Sequence, residues 1–344
     1  MRIFSDLTRE RWRRFRRIKR AYISLILLGS AFVLSLFSEF IANDKPLYLR
    51  YHGNSYFPVL FTYSERTFGG RYKTEADYVT LRNDTFFTAN AFMIFPPIAH
   101  DPLHSYLNLD DQPPHAPSWR HWLGTDAIAR DILSRLIYGF RICMLFALML
   151  MVLSAVLGII IGGVQGYLGG KADITIQRLI EIWSSLPFLY VVILVGSIYG
   201  RNFALLLFVM AIFQWVGLSY YMRGEFYKLK SMTYVKSARA VGVGHIGILF
   251  KQILPNALTP VITIMPFGLI SGISSLTALD FLGFGLPPPT PSWGELIQQG
   301  LANLNAPWIA VSTISALFIT LLLTTFIGEG IREAFDPKAE YRLE

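Results

Sequence analysis

YVKSARAVGVGHIGILFKQILPN, residues Tyr234–Asn256, interrupts a chain otherwise dominated by long apolar runs. Ser231 or Thr233 supplies an N-cap, and Tyr234–Val241 then has the composition of a short helix. Gly242 and Gly244 end it, as a sharp reversal needing positive φ or close backbone approach requires. A second short helix is expected over His245–Ile253, with Pro255 forcing a new start. Lys236 and Arg239, three apart, share one face of the first helix. The product is a compact, basic helix-turn-helix at a membrane surface, shaped to touch another molecule.

Composition sets the surroundings of this element. Hydrophobic residues make up 53% of the 344, and 16% are charged, where a soluble chain carries about 25%. Apolar runs of about 20 residues predict an all-α polytopic membrane protein with six spans. They centre on 21–42, 142–165, 176–199 (with Pro187 inside), 203–222, 257–280 and 308–328. Gly158, Gly162, Gly163 and Gly166 recur near helical spacing and permit close helix packing. Cys143, the single cysteine, lies in an apolar run, which excludes an intrachain disulfide.

Nine of the 31 Lys and Arg residues fall in the first 20 positions, directly before the first span. That placement favours a cytoplasmic anchor on anionic lipid over a nucleic-acid-binding arm. The first span is too long for a signal peptide and lacks a small-residue cleavage site, so an uncleaved inside amino terminus is expected. The basic loops at 166–178 and 223–252 then fall on the same side. The loop 281–307, without Lys or Arg, falls outside, as does the polar and aromatic region 43–135. The expected organisation is a basic amino terminus (1–20), a first span (21–42), an extracytoplasmic insertion (43–135), a five-helix core (136–328) with a cytoplasmic loop at 223–256, and a cytoplasmic tail (329–344).

Candidate chemistry is sparse. His100, His104, His115 and His121 invite a metal reading, but no cysteine accompanies them and Pro102, Pro113, Pro114 and Pro117 disrupt helical ligand spacing. They are read as surface histidines, with no metal site. Gly169-Gly170-Lys171 fails as a phosphate loop, because Gln165 and Ala172 stand where Gly and Ser or Thr are needed. An ATPase, if ATP drives the protein, is therefore a separate chain. Arg178 and Glu181 are expected to pair, and Gln214 either lines a pathway or bonds a neighbouring helix.

Several strings carry a family resemblance. Ala238, Gly242 and Leu254-Pro255, within the fuller Tyr-Val-x-x-Ala-Arg-Ala-x-Gly and Leu-Pro-Asn256, resemble the EAA loop of bacterial ABC importer permeases of the oligopeptide/dipeptide branch. Lys236 and Ser237 replace the Glu-Ala that names the motif. Leu123-Gly124-Thr125-Asp126 with Arg130-Asp131 is similar to the segment preceding the family's core, and Ala129 stands where glycine is usual. Trp215 with Arg223-Gly224-Glu225, and Asp280-Phe-Leu-Gly-Phe-Gly-Leu-Pro followed by Pro291-Ser-Trp-Gly294, fit the same pattern. In the outer insertion, Asn43-Asp44-Lys45-Pro46-Leu47, Tyr56-Phe57-Pro58 and Phe68-Gly69-Gly70 look like the branch that imports peptides and the peptide-nucleotide antibiotic microcin C.

The resemblance implies the type I ABC importer permease fold in the inner membrane and a C-type permease subunit, itself non-catalytic. It implies a second permease, two ATPase subunits or one fused ATPase, and a periplasmic peptide-binding protein. No cofactor is bound directly, ATP acting through the partners. Tyr234, Lys236, Ser237, Ala238, Arg239, Gly242, Gly244, Leu254, Pro255 and Asn256 would then form the ATPase-coupling surface. An ion-coupled secondary transporter is the alternative, but it needs charge near the midplane of a span, and Glu181 and Asp280 sit near span ends. An intramembrane enzyme needs a nucleophile–base pair or metal cluster within a span, and the sequence offers neither.

Overall fold

The computed structural model describes residues 6–107 and 112–336; the tail beyond 336 and the first five residues lie outside the described residues. Helices α1 (Asp6–Arg17), α2 (Lys19–Leu36) and α3 (Ser38–Ile41) lead into strands β1 (Tyr48–Tyr51) and β2 (Asn54–Tyr56). Short helices α4 (Tyr78–Asn83) and α5 (Thr85–Asn90) precede β3 (Ala91–Ile94). Helices α6 (Ile132–Leu168), α7 (Gly170–Ser184), α8 (Phe188–Tyr199) and α9 (Phe203–Leu229) follow. Then come α10 (Thr233–Ala240), α11 (His245–Gly247), a π-helical segment (Ile248–Ile253), α12 (Leu254–Phe281), α13 (Trp293–Ala302) and α14 (Pro307–Phe335).

Among the described residues, five helical stretches are long and apolar enough to cross a membrane, and α7 with α8 makes a sixth if that bent pair is one span. Only 22–39% of each stretch's most apolar window is buried within the chain. The remaining apolar surface requires lipid or another apolar chain. The third predicted span is not straight: α7 and α8 meet at 69°. Pro187 (φ −73°, ψ 103°) starts α8 from an extended conformation, lacks an N–H to continue α7, and disfavours a helical Leu186. The second span begins ten residues earlier than predicted, because its polar first turns are satisfied by side chains.

The chain forms two compact units, residues 1–29, 143–287 and 318–344, and residues 30–142 and 288–317. In the first, glycines on α6 let α9 approach at backbone distance. A Cβ at Gly162 would lie 2.2 Å from the Ser219 carbonyl oxygen, and one at Gly166 2.4 Å from that of Arg223. The amino-terminal helix packs on the chain itself: Phe15 is buried with Ala21 and Ala334, and Arg11 lies 4.4 Å over the Phe335 ring. Arg13, Arg16 and Arg17 remain exposed, where anionic headgroups can reach them. The Asp280 carboxylate accepts from the Leu286 N–H at 2.7 Å and clasps the loop after α12, a structural role.

The second unit adds a β-component to a helical protein, the antiparallel sheet β2-β1-β3, whose face carries an aromatic core of Tyr51, Phe68, Tyr78 and Phe87. Phe68 of the Phe-Gly-Gly string sits at its centre and Gly69 turns the chain at φ +90°. At the start of α6 the Asp126 carboxylate holds Arg130 (2.8 Å), and Glu295 bridges Arg130 (2.7 Å) and the fully buried Arg135 (2.6 Å). Trp293, also buried, donates to the Leu136 carbonyl at 3.1 Å over Gly139, where a Cβ would meet the indole at 2.8 Å. The surface reading of the histidines fails for His121, which is 3% exposed and bonded to Asp131. Proline-broken spacing concealed this, because the histidines converge through loops.

Ala129 is buried at φ +64°, a left-handed conformation in which a side chain costs about 1–2 kcal/mol. That backbone suits glycine, the residue usual at this place in the family the string resembles. Ala129→Gly relieves that strain but loses a buried methyl worth about 0.8 kcal/mol and gains unfolded-state freedom, so its apparent Tm is expected to stay within a few degrees of the parent. Ala129→Val, β-branched in the same conformation, is expected to lower Tm well beyond that in detergent. Equal effects of the two would refute the strain account.

Candidate coupling surface

The surface is built from the end of α9 to the start of α12. Helix α10 anchors through Val235, which is fully buried among Met222, Phe226, Ile248 and Ile253. Its predicted N-cap does not form: Met232 occupies that position, with no side-chain cap. The carboxyl end closes as a Schellman motif. The Val243 N–H bonds the Ala238 carbonyl and the Gly242 N–H that of Arg239, both at 3.0 Å, with Gly242 at φ +89°.

Gly242 therefore matches the positive φ that its position predicts, whereas Gly244 does not. Gly244 has φ −65°, ψ 158° and open space where a Cβ would project, so its glycine is not required by geometry. The break predicted at Pro255 is also absent, since α11, the π segment and α12 run on as one helical stretch, His245–Phe281. The Leu254 N–H reaches the Leu249 carbonyl five residues back, and this wider turn absorbs a proline that lacks an N–H and would crowd the carbonyl four residues earlier.

Three tethers fix this element to the rest of its unit. Lys230 donates from Nζ to the Gly166 (2.9 Å) and Tyr167 (3.3 Å) carbonyls, capping the carboxyl end of α6 where the helix dipole favours a cation. Tyr167 Oη and His245 Nδ1 share a 2.7 Å hydrogen bond. Arg223 grips Asp173 on α7 with two bonds, 2.6 and 2.8 Å. Lys230, Tyr167 and Asp173 escaped the sequence reading, because their partners lie 50 or more residues away. The basic end of α9, with Lys228 and Lys230, gave no sign of which lysine caps α6.

Lys236, Ser237 and Arg239 are all exposed, as are Lys228 and Lys251. Two apolar tips missed in the sequence flank the glycine turn, Val241 at 85% and Ile246 at 77% exposure. Ala238 is half-buried and supplies its carbonyl rather than its side chain to the turn. Tyr234 leans back, its hydroxyl 3.5 Å from the Gln252 carbonyl and from Asn256 Nδ2, which itself donates to the Gln252 carbonyl at 2.8 Å. Leu254 is half-buried, and Pro255 and Asn256 are exposed on the first turn of α12. Gln214 stands apart, half-buried, and donates weakly to Ser275 Oγ on α12 at 3.4 Å. Arg178 and Glu181 pair at 2.5 Å as expected.

Residues 154–341 match the family described as Binding-protein-dependent transport system inner membrane component, and residues 6–56 match the N-terminal TM domain of oligopeptide transport permease C. The chain is 42% identical to the Peptidoglycan transport system permease protein YejE of Agrobacterium fabrum, over 98% of this chain and 95% of that one. It is 44% identical to the Inner membrane ABC transporter permease protein YejE of Escherichia coli, covering 97% and 98% of the two chains. It is 37% identical to the Oligopeptide transport system permease protein OppC of Haemophilus influenzae, over 63% and 70%. The chain belongs to this family: it is a membrane permease subunit of the ABC importers, in the oligopeptide/dipeptide branch.

The glycine geometry yields a direct test. Arg239 lies in the exposed last turn of α10, so trypsin cleavage there reports how well the turn is held. Gly242→Val in the detergent-solubilised chain is expected to raise the cleavage rate several-fold at unchanged yield, and Gly244→Ala to leave it unchanged. Similar rates for both would refute the Schellman assignment.

Proposed function

We propose that residues 233–256 are the element through which cytoplasmic ATPases drive this permease. The observation that carries the proposal is a braced helix-turn-helix that exposes four cations, Lys228, Lys236, Arg239 and Lys251, together with the apolar Val241 and Ile246. Exposed apolar side chains on a basic element suit a groove with an acidic rim. Because Lys230, Tyr167 and Arg223 tie the element to α6 and α7, a push on it moves those helices as one body. The proposed site keeps Tyr234, Lys236, Ser237, Ala238, Arg239, Gly242, Leu254, Pro255 and Asn256, with Gly244 as a spacer. Gln214 serves as an inter-helix contact.

In the proposed assembly the chain pairs with a second permease, two ATPase subunits or one fused ATPase, and a periplasmic binding protein that delivers substrate. The chain itself is non-catalytic. The substrates are peptides and peptide-containing conjugates, among which peptidoglycan fragments and microcin C fall by chemistry; the names of the relatives support the class. Both termini lie in the cytoplasm and 43–135 lies outside, with the exposed arginines of α1 meeting lipid headgroups. An ion-coupled transporter would need no ATPase partner.

Two measurements test this. Copurification of an ATPase chain, and loss of substrate-stimulated ATP hydrolysis and peptide uptake by at least tenfold in Val241→Asp and Arg239→Glu at normal membrane abundance, are expected. Full transport by both variants would refute the coupling role. In a Cys143→Ala background, Lys73→Cys is expected to react with an impermeant maleimide in cells whose outer membrane alone is permeabilised. Reaction only after lysis would reverse the topology.

A further inference from the structure

We propose that His100, His121 and Asp131 form a binding site for one divalent transition ion, Zn2+ by ligand chemistry, at the wall of a cavity in the unit formed by 30–142 and 288–317. Their ligand atoms all lie within 4.8 Å of one another, and His121 and Asp131 are buried. The cavity, of about 690 Å³, is lined by all three side chains, together with Arg82, Tyr106 and Trp122.

The hydrogen bonds around the three groups leave ligand atoms within reach of one another. His100 Nε2 donates to the Arg120 carbonyl at 2.6 Å, which fixes the proton on Nε2 and leaves a lone pair on Nδ1. That Nδ1 is buried without a hydrogen-bond partner. Asp131 Oδ1 is held by the Ser134 N–H (2.8 Å) and hydroxyl (2.9 Å), which orients the carboxylate and leaves Oδ2 toward His121 Nδ1 at 2.8 Å. An ion would displace the proton shared in that last contact. The rings of His100 and His121 lie 4.2 Å apart between centroids. Tetrahedral zinc with bonds of about 2.0–2.1 Å needs donors about 3.3 Å apart, so modest ring rotation brings the set to bonding distance.

An imidazole whose second nitrogen is tied to a carbonyl, and a carboxylate held by a hydroxyl, are the outer contacts that preset metal ligands. Two imidazoles and one carboxylate favour Zn2+ over Ca2+ or Mg2+, which prefer all-oxygen sets. Three protein ligands leave the fourth position open. Here it faces the cavity, where Arg82 adds positive charge, so it is suited to water or a solute carboxylate. The site does not depend on the coupling role and is tested without transport.

The full chain, copurified with its partner subunits through a histidine-free tag, is stripped with chelator and dialysed against equimolar Zn2+. One zinc per chain by elemental analysis is expected, and Co2+ in its place is expected to give visible absorption of a low-coordinate site. His100→Gln and His121→Gln should each weaken binding at least tenfold, while His104→Gln and His115→Gln leave it intact. Gel filtration and melting identify variants that fail to fold. Absence of zinc from the folded parent protein overturns the proposal whatever the variants do, as does zinc retained equally by folded His100→Gln and His121→Gln.

Discussion

The backbone contact between α6 and α9 is the constraint on which the proposed coupling surface depends. Gly162 and Gly166 place the Ser219 and Arg223 carbonyls closer than any side chain would allow. With the helices that close, Lys230, just past the end of α9, reaches the last carbonyls of α6, and Arg223 reaches Asp173. A methyl at either glycine would push the helices apart, and both polar tethers would lose their geometry together. Position and stiffness of the 233–256 element thus derive from residues far from it in sequence.

The electrostatic arrangement is divided between two roles. Arg130, Arg135, Arg223 and Lys230 are spent internally, on carboxylates or helix-end carbonyls, while Lys228, Lys236, Arg239 and Lys251 face outward. Buried Arg135 is tolerable because Glu295 meets it at 2.6 Å; losing one partner of such a pair costs about 3–5 kcal/mol. The outward cations meet no such requirement, so their replacement is expected to cost the fold little. The family strings of the sequence divide in the same way. Trp293, Asp126, Asp280 and Phe68 are packing or clasping groups, whereas the string around Arg239 exposes Lys236, Ser237 and Arg239.

Much of this was legible in the chain. Apolar run length revealed the spans, the basic interruption revealed the helix-turn-helix that follows α9, and Gly242 revealed the turn. Each is a local property: a helix must satisfy its own backbone in lipid, and a left-handed residue excludes most side chains wherever it lies. The interpretation was weakest where two local signals compete. Pro255 read as a break, yet a π turn offers proline the same relief without ending the helix. Gly244 read like Gly242, yet this second glycine returns to ordinary φ.

Sequence by itself determined that this is a polytopic helical permease of the peptide-importer type, and where its chain reverses at 241–244. Only tertiary structure decided that Tyr167 and Lys230 brace that reversal, that α7 and α8 meet at 69°, and that His100 and His121 stand beside Asp131. The physical reason is range. Periodicity and backbone sterics act over a few residues and leave a pattern in the chain. Contacts closed across tens of residues by loops and helix packing leave no period to read.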